Sequence, residues 1–110
     1  MVVDLQERDR ADLIFGALAD ATRRDIVTRV LRTETSVSRL AEKYAMSFAA
    51  VQKHVTVLAR AGLVTKERRG REQLVRGDID TIRDAEALLG EFEQIWRERL
   101  GRLEQILTEP

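Results

Sequence analysis

A chain of 110 residues with 44% apolar and 35% charged side chains suits one folded domain and is unlike a disordered chain. It has no cysteine, one histidine and no apolar run near the roughly 18 residues of a membrane span, so a disulfide frame, a thiolate metal site and a membrane partner are not expected. The formal charge is zero but unevenly spread: residues 1–38 carry −1, residues 39–76 carry +6 and residues 77–110 carry −5. A basic middle between acidic ends is the footprint of a local anion-binding surface. Residues 1–10 are polar and hold no signal-peptide core, and a cytoplasmic protein is expected.

Helical periodicity dominates the chain. Residues 9–19 predict a first helix with Leu13, Ile14, Phe15 and Leu18 apolar. Asp20 has the chemistry of an N-cap for a second helix, whose apolar positions are Ile26, Val27, Val30 and Leu31. Residues 33–36 read as a break. Ser38 is the expected N-cap of a short third helix through Leu40, Ala41 and Tyr44. Ser47 caps a fourth helix that runs to about Ala61 and stops at Gly62.

The period then changes. Residues 63–68 and 73–76 are short runs containing β-branched residues, on either side of Arg69-Gly70-Arg71-Glu72, and predict a β-hairpin. From residue 78 to 109 the helical pattern returns, with Ile82, Ala85, Leu89, Phe92, Trp96, Leu100, Leu103 and Leu107 on one long apolar stripe. Such a stripe is longer than so small a core can cover. The fold class is therefore α+β and mostly helical, in the order helix, helix, helix, helix, hairpin, helix. It reads as one domain, with the first two helices at 9–34, a helix-turn-helix at 38–61, a wing at 63–76 and a dimerisation helix at 78–109.

Two short helices joined by a tight turn match a helix-turn-helix. In the second, Val51, Val55 and Leu58 share a face that would point to the core, while Ala49, Gln52, Lys53, Thr56 and Arg60 share the opposite one. That opposite face is polar, nearly free of acids and small at its first turn. A helix that enters the DNA major groove needs those properties, with Gln and Lys long enough to reach base edges. The free N–H groups at its start suit a phosphate. Phe48 in the first turn can meet a thymine methyl or pack as part of the cap. Arg68, Arg69 and Arg71 around Gly70 suit phosphate contact or minor-groove insertion.

The runs Leu18-Ala19-Asp20-Ala21-Thr22-Arg23-Arg24-Asp25-Ile26-Val27, Val37-Ser38-Arg39-Leu40-Ala41, Met46-Ser47-Phe48-Ala49-Ala50-Val51-Gln52-Lys53-His54-Val55-Thr56-Val57-Leu58 and Ala61-Gly62-Leu63-Val64 carry a further signal. Together they resemble the ArsR/SmtB winged helix-turn-helix repressors, over nearly all of the chain from Leu13. The ending Trp96-Arg97-Glu98-Arg99-Leu100-Gly101-Arg102-Leu103 resembles a subgroup of that family without metal ligands. Gln52 stands where the subgroup usually has Ser, and Val55 where it usually has Leu. The resemblance implies that Ser47, Ala49, Gln52, Lys53 and His54 lie at or near DNA, that Arg39 and Lys43 meet phosphates, and that Arg69 and Arg71 are wing contacts. The long apolar stripe predicts a homodimer through the first and last helices, using Leu13, Leu89, Phe92, Trp96, Leu100 and Leu103, with a small-molecule cavity lined by Phe92 and Trp96 as the alternative.

Other chemistry finds little support. One His and no Cys cannot build a metal site of the family type, and Asp78, Asp80, Asp84 and Glu86 read as solvated acids rather than a carboxylate site. His54 can donate to a phosphate or orient a neighbour. No nucleophile–base pair and no phosphate-cradling Gly-rich loop occurs, so no enzyme and no cofactor are expected. The expected function is a metal-independent repressor that binds a partly palindromic double-stranded operator as a homodimer, with autoregulation a possibility. A protein-interaction module and a sensor of some small-molecule inducer are the alternatives, and nothing in the sequence identifies an inducer.

Overall fold

The computed structural model describes residues 5–109. Five helices and three strands follow in the order α1 (Leu5–Leu18), α2 (Ala21–Arg32), β1 (Thr35–Ser36), α3 (Val37–Ala41), α4 (Phe48–Arg60), β2 (Val64–Arg69), β3 (Glu72–Gly77) and α5 (Ile79–Thr108). This is the mostly helical winged helix-turn-helix anticipated above, with one small antiparallel sheet in the order β1-β3-β2.

Local chemistry sets most boundaries. The Asp20 carboxylate accepts from the Arg23 N–H at 3.0 Å and starts α2. Ser47 does the same for α4, accepting from the Ala50 N–H at 3.1 Å. Gly62 ends α4 at a φ of 80°, in the left-handed region that glycine enters without steric cost. Its N–H donates to Ala59 O, and the Leu63 N–H donates to Leu58 O, both at 3.0 Å, which is the hydrogen-bond pattern of a Schellman cap. The hairpin pairs Arg69 with Glu72 across Gly70 and Arg71. Gly70 has a φ of 60° while Arg71 stays at negative φ, the arrangement of a type II′ turn. Asp78 caps α5, its carboxylate accepting from the Asp80 and Thr81 N–H groups.

Three expectations change. The first helix begins at Leu5, a turn before residue 9. The third helix is capped by Ser36, whose hydroxyl accepts from the Arg39 N–H at 3.1 Å, and Ser38 lies inside the helix on its exposed side. The cause is a long-range contact: the break at 33–36 contains β1, which pairs Thr35 with Val75 and Ser36 with Leu74 and so fixes where the helix starts. Leu31, expected on the buried face of α2, is exposed and lies over Gly77 at the end of β3.

One core unites the elements. Ile26, Val37, Leu40, Val51, Val55, Leu58, Leu63, Val64 and Val75 are fully buried, with Ile14 and Ala17 of α1 and Ala85 of α5 at its edge. Burying such side chains stabilises by about 1.5–3 kcal/mol each. The core therefore holds α4 by one face only, through Val51, Val55 and Leu58, and leaves the other face in solvent. Beyond Leu88, every residue of α5 through Thr108 is exposed. At 1.5 Å per residue the helix is about 45 Å long, and it draws the molecule out to 72 × 31 × 21 Å.

Candidate nucleic-acid interface

The free face of α4 carries Ala49, Gln52, Lys53 and Arg60, all exposed. Thr56 is half-buried on the same face, and its hydroxyl donates to the Gln52 backbone carbonyl at 3.0 Å, so it serves the helix itself. No acid occupies the first turn of α4, where the helix dipole places partial positive charge. Phe48 in that turn is 48% exposed, an apolar ring left in water. Arg39 is exposed on α3, and Lys43 is exposed in the turn between α3 and α4.

The wing adds Arg68, Arg69 and Arg71, all exposed at or next to the hairpin tip. Of its two acids, Glu67 and Glu72, Glu67 is taken up by Arg76, which also pairs with Glu34 at 2.9 Å, while Arg69 stands 3.7 Å from Glu67. Among the described residues Arg68 and Arg71 form no ion pair, which leaves their donors available to an outside anion. The structure thus presents a polar, cation-rich helix face and an arginine-rich tip from elements adjacent in the chain.

His54 stands apart from that face. Its side chain is 21% exposed and turns toward the α1–α2 junction, with Nδ1 at 3.4 Å from Arg23 Nη1 and 3.9 Å from Asp20 Oδ2. A guanidinium has only donors, so Nδ1 is the acceptor in that contact. Arg23 also donates from Nε to Ala17 O at 2.7 Å and from Nη2 to Gly16 O at 3.1 Å, while Arg24 donates to Leu18 O at 2.7 Å. The two arginines close the carbonyl end of α1, and Arg23 ties it to α4. The Asp20 carboxyl is held below the usual carboxylate range, first by the Arg23 N–H it accepts and then by the Arg23 charge, against some desolvation.

A second cluster fixes the helix-turn-helix turn, and composition alone did not single it out. The Tyr44 hydroxyl donates to Asp25 Oδ2 at 2.6 Å, Arg29 donates to the same oxygen at 2.8 Å, and the Arg29 guanidinium lies 5.7 Å from the Tyr44 ring centre. Burial and the Asp25 bond push the Tyr44 hydroxyl up to about 12, and the Tyr44 bond draws Asp25 down. The Asp25–Arg29 spacing of i, i+4 was a legible clue to half of it.

Outside the α4 surface, α5 displays an uncovered apolar stripe. Leu89, Phe92, Trp96, Leu100 and Leu103 are all exposed, Phe92 by 62% and Trp96 by 53%, and Leu13 of α1 is exposed as well. Ile95 and Ile106 widen the stripe. Among the described residues no three His, Cys, Asp or Glu side chains gather to hold a metal. Asp84 instead pairs with Arg10, and Asp80 approaches Arg83 at 3.6 Å. No helix among the described residues is long and apolar enough to cross a membrane.

A five-helix fold with a helix-turn-helix and an arginine-tipped hairpin defines a winged helix-turn-helix DNA-binding transcriptional regulator, a non-enzymatic class. Comparison with known proteins agrees. No protein-family model matches the sequence. A helix-turn-helix transcriptional regulator of Bacillus subtilis (strain 168), YuzN, is 41% identical over 71 residues, which is 58% of this chain and 77% of that protein. An ArsR-like transcriptional regulator from Rhodococcus sp. RHA1 superposes with a TM-score of 0.80 at 30% identity, over 93% of this chain and 96% of the other. A possible transcriptional regulator for arsenical resistance superposes with a TM-score of 0.67 at 34% identity, over 89% and 98% of the two chains. The chain belongs to the ArsR family of transcriptional regulators.

Proposed function

We propose that the protein is a metal-independent repressor that binds a partly palindromic operator as a homodimer. The observation that carries this reading is the pairing of a free, acid-poor α4 face with an α5 stripe that the protomer's own core leaves bare. A soluble chain gains by covering Leu89, Phe92, Trp96, Leu100 and Leu103, and a second copy placed along α5 and α1, with Leu13 at its edge, covers them by two-fold symmetry. Such a dimer offers two α4 helices to successive major grooves, about 34 Å apart.

Within each half, Gln52 and Lys53 meet base edges, and Ser47 and Ala49 admit the helix end to the groove. Arg39, Lys43, Arg69 and Arg71 hold phosphates or enter the minor groove, which supplies salt-dependent affinity without sequence preference. His54, turned toward Arg23, orients α4 rather than touching a base. Repression follows when the bound dimer occludes polymerase. Metal independence is supported by a sequence with one histidine and no cysteine.

Selection of genomic DNA fragments by the purified protein, beginning with the region upstream of its own gene, tests the reading. Enrichment of one motif with two related halves is the expected result. Failure to enrich any sequence over random DNA would overturn it in favour of a protein-interaction module.

A further inference from the structure

We propose that each half-site contains a thymine and an adenine within about two base pairs of each other, the thymine methyl met by Phe48 and the adenine edge by Gln52. This deepens the DNA-reading role given above and rests on it. The argument begins with position. Phe48 and Gln52 are four residues apart on α4, hence neighbours on one ridge of the helix, and both are exposed. Four residues advance the helix by about 6 Å, close to two base-pair steps of 3.4 Å. Side chains on that ridge therefore address bases in the same part of the groove. Lys53 lies on the next ridge behind Ala49, and a cation there suits guanine rather than adenine.

The chemistry of the pair then selects the bases. Adenine presents a donor at N6 beside an acceptor at N7, which a glutamine carboxamide matches with its own acceptor and donor. The Gln52 backbone carbonyl is occupied by the Thr56 hydroxyl, and the carboxamide has no hydrogen-bond partner among the described residues. It is free to take two bonds from one base. Phe48 has nothing to offer a polar edge. The thymine C5-methyl is the apolar group on the major-groove floor, and covering it removes from water a ring that is 48% exposed in the free protein.

The test uses duplexes selected by the unaltered protein from a random library, with single bases then replaced by analogues. Deoxyuridine in place of thymidine deletes only the methyl group, and 7-deazaadenine deletes only the N7 acceptor. One thymidine per half-site is expected to lower affinity about five- to tenfold when replaced, and one adenine within two base pairs about tenfold, the scale of a single specific base contact. The thymidine effect is expected to vanish in Phe48→Ala and the adenine effect in Gln52→Ala. Because the analogue measurements use the unaltered protein, a variant that folds poorly leaves them intact. If a motif is selected but neither analogue changes binding, or the variants keep both effects, the assignment of these two bases is overturned while the DNA-reading role stands. If no motif is selected, both fall.

Discussion

Replacing Trp96 with alanine strips the largest side chain from the bare stripe of α5. The side chain is 53% exposed in the protomer, so of the roughly 250 Å² an indole can bury about 130 Å² remains to be covered by a partner. At about 25 cal/mol per Å² that is about 3 kcal/mol per protomer, and a two-fold interface counts it twice. Association realises only part of such area, and half of it leaves about 3 kcal/mol, or at least about a hundredfold in the dimer dissociation constant. Sedimentation equilibrium of parent and variant across the micromolar range measures this directly. Since Trp96 lies beyond the part of α5 that joins the core, with Arg99 at 5.4 Å from its ring as its notable neighbour, far-UV circular dichroism of the variant should match the parent. A parent that is monomeric at micromolar concentration, or an unchanged constant in the variant, refutes the reasoning.

Other consequences can be measured singly. Tyr44→Phe removes a hydrogen bond that joins the helix-turn-helix turn to α2 and should cost about 1 kcal/mol by urea denaturation, a modest value because Asp25 is half-exposed. The raised Tyr44 value means its contribution is complete below about pH 10 and lost as pH rises through about 12, and the depressed Asp25 value means the contribution is lost only when pH falls below the ordinary 3.8; the cost should be flat between those limits and shrink outside them. Gly77→Ala places a Cβ 2.8 Å from Leu31 Cγ and 3.1 Å from its Cα, and overpacking there should lower stability by about 1–3 kcal/mol, with Leu31→Ala restoring part of the loss. Stoichiometric zinc, cadmium or arsenite should leave operator affinity unchanged, and release of DNA by any of them would point to the acids of α5.

How much of this was legible depended on the range of the interaction involved. Ser47 and Gly62 bracket α4 through bonds to residues within five positions, and a sequence reading finds such caps directly. The buried triplet Val51, Val55 and Leu58 and its opposite face follow from helical period alone. The choice between Ser36 and Ser38 did not, because both are competent caps and the decision lies with β1 pairing to β3 almost forty residues on. A two-residue strand has no period to detect. His54 was readable as a residue of α4 but its contact with the α1–α2 junction was not, since the groups it meets, Arg23 and Asp20, come from another helix and its cap. Leu31 fits a buried pattern by spacing, yet it lies over Gly77 and stays exposed.

The central claim is that α4 reads bases while the wing holds the backbone. It is tested most directly by titrating the parent, Gln52→Ala and Arg71→Ala against the selected operator and against random DNA at several salt concentrations. Gln52→Ala should narrow the gap between the two DNAs, by about 1–3 kcal/mol of lost discrimination, and barely change the salt dependence. Arg71→Ala should weaken both DNAs alike and reduce the salt slope by roughly 1 per half-site. If Gln52→Ala keeps the full operator preference, the free face of α4 does not read the bases. If both variants bind as the parent does, the DNA-binding surface lies elsewhere on the molecule.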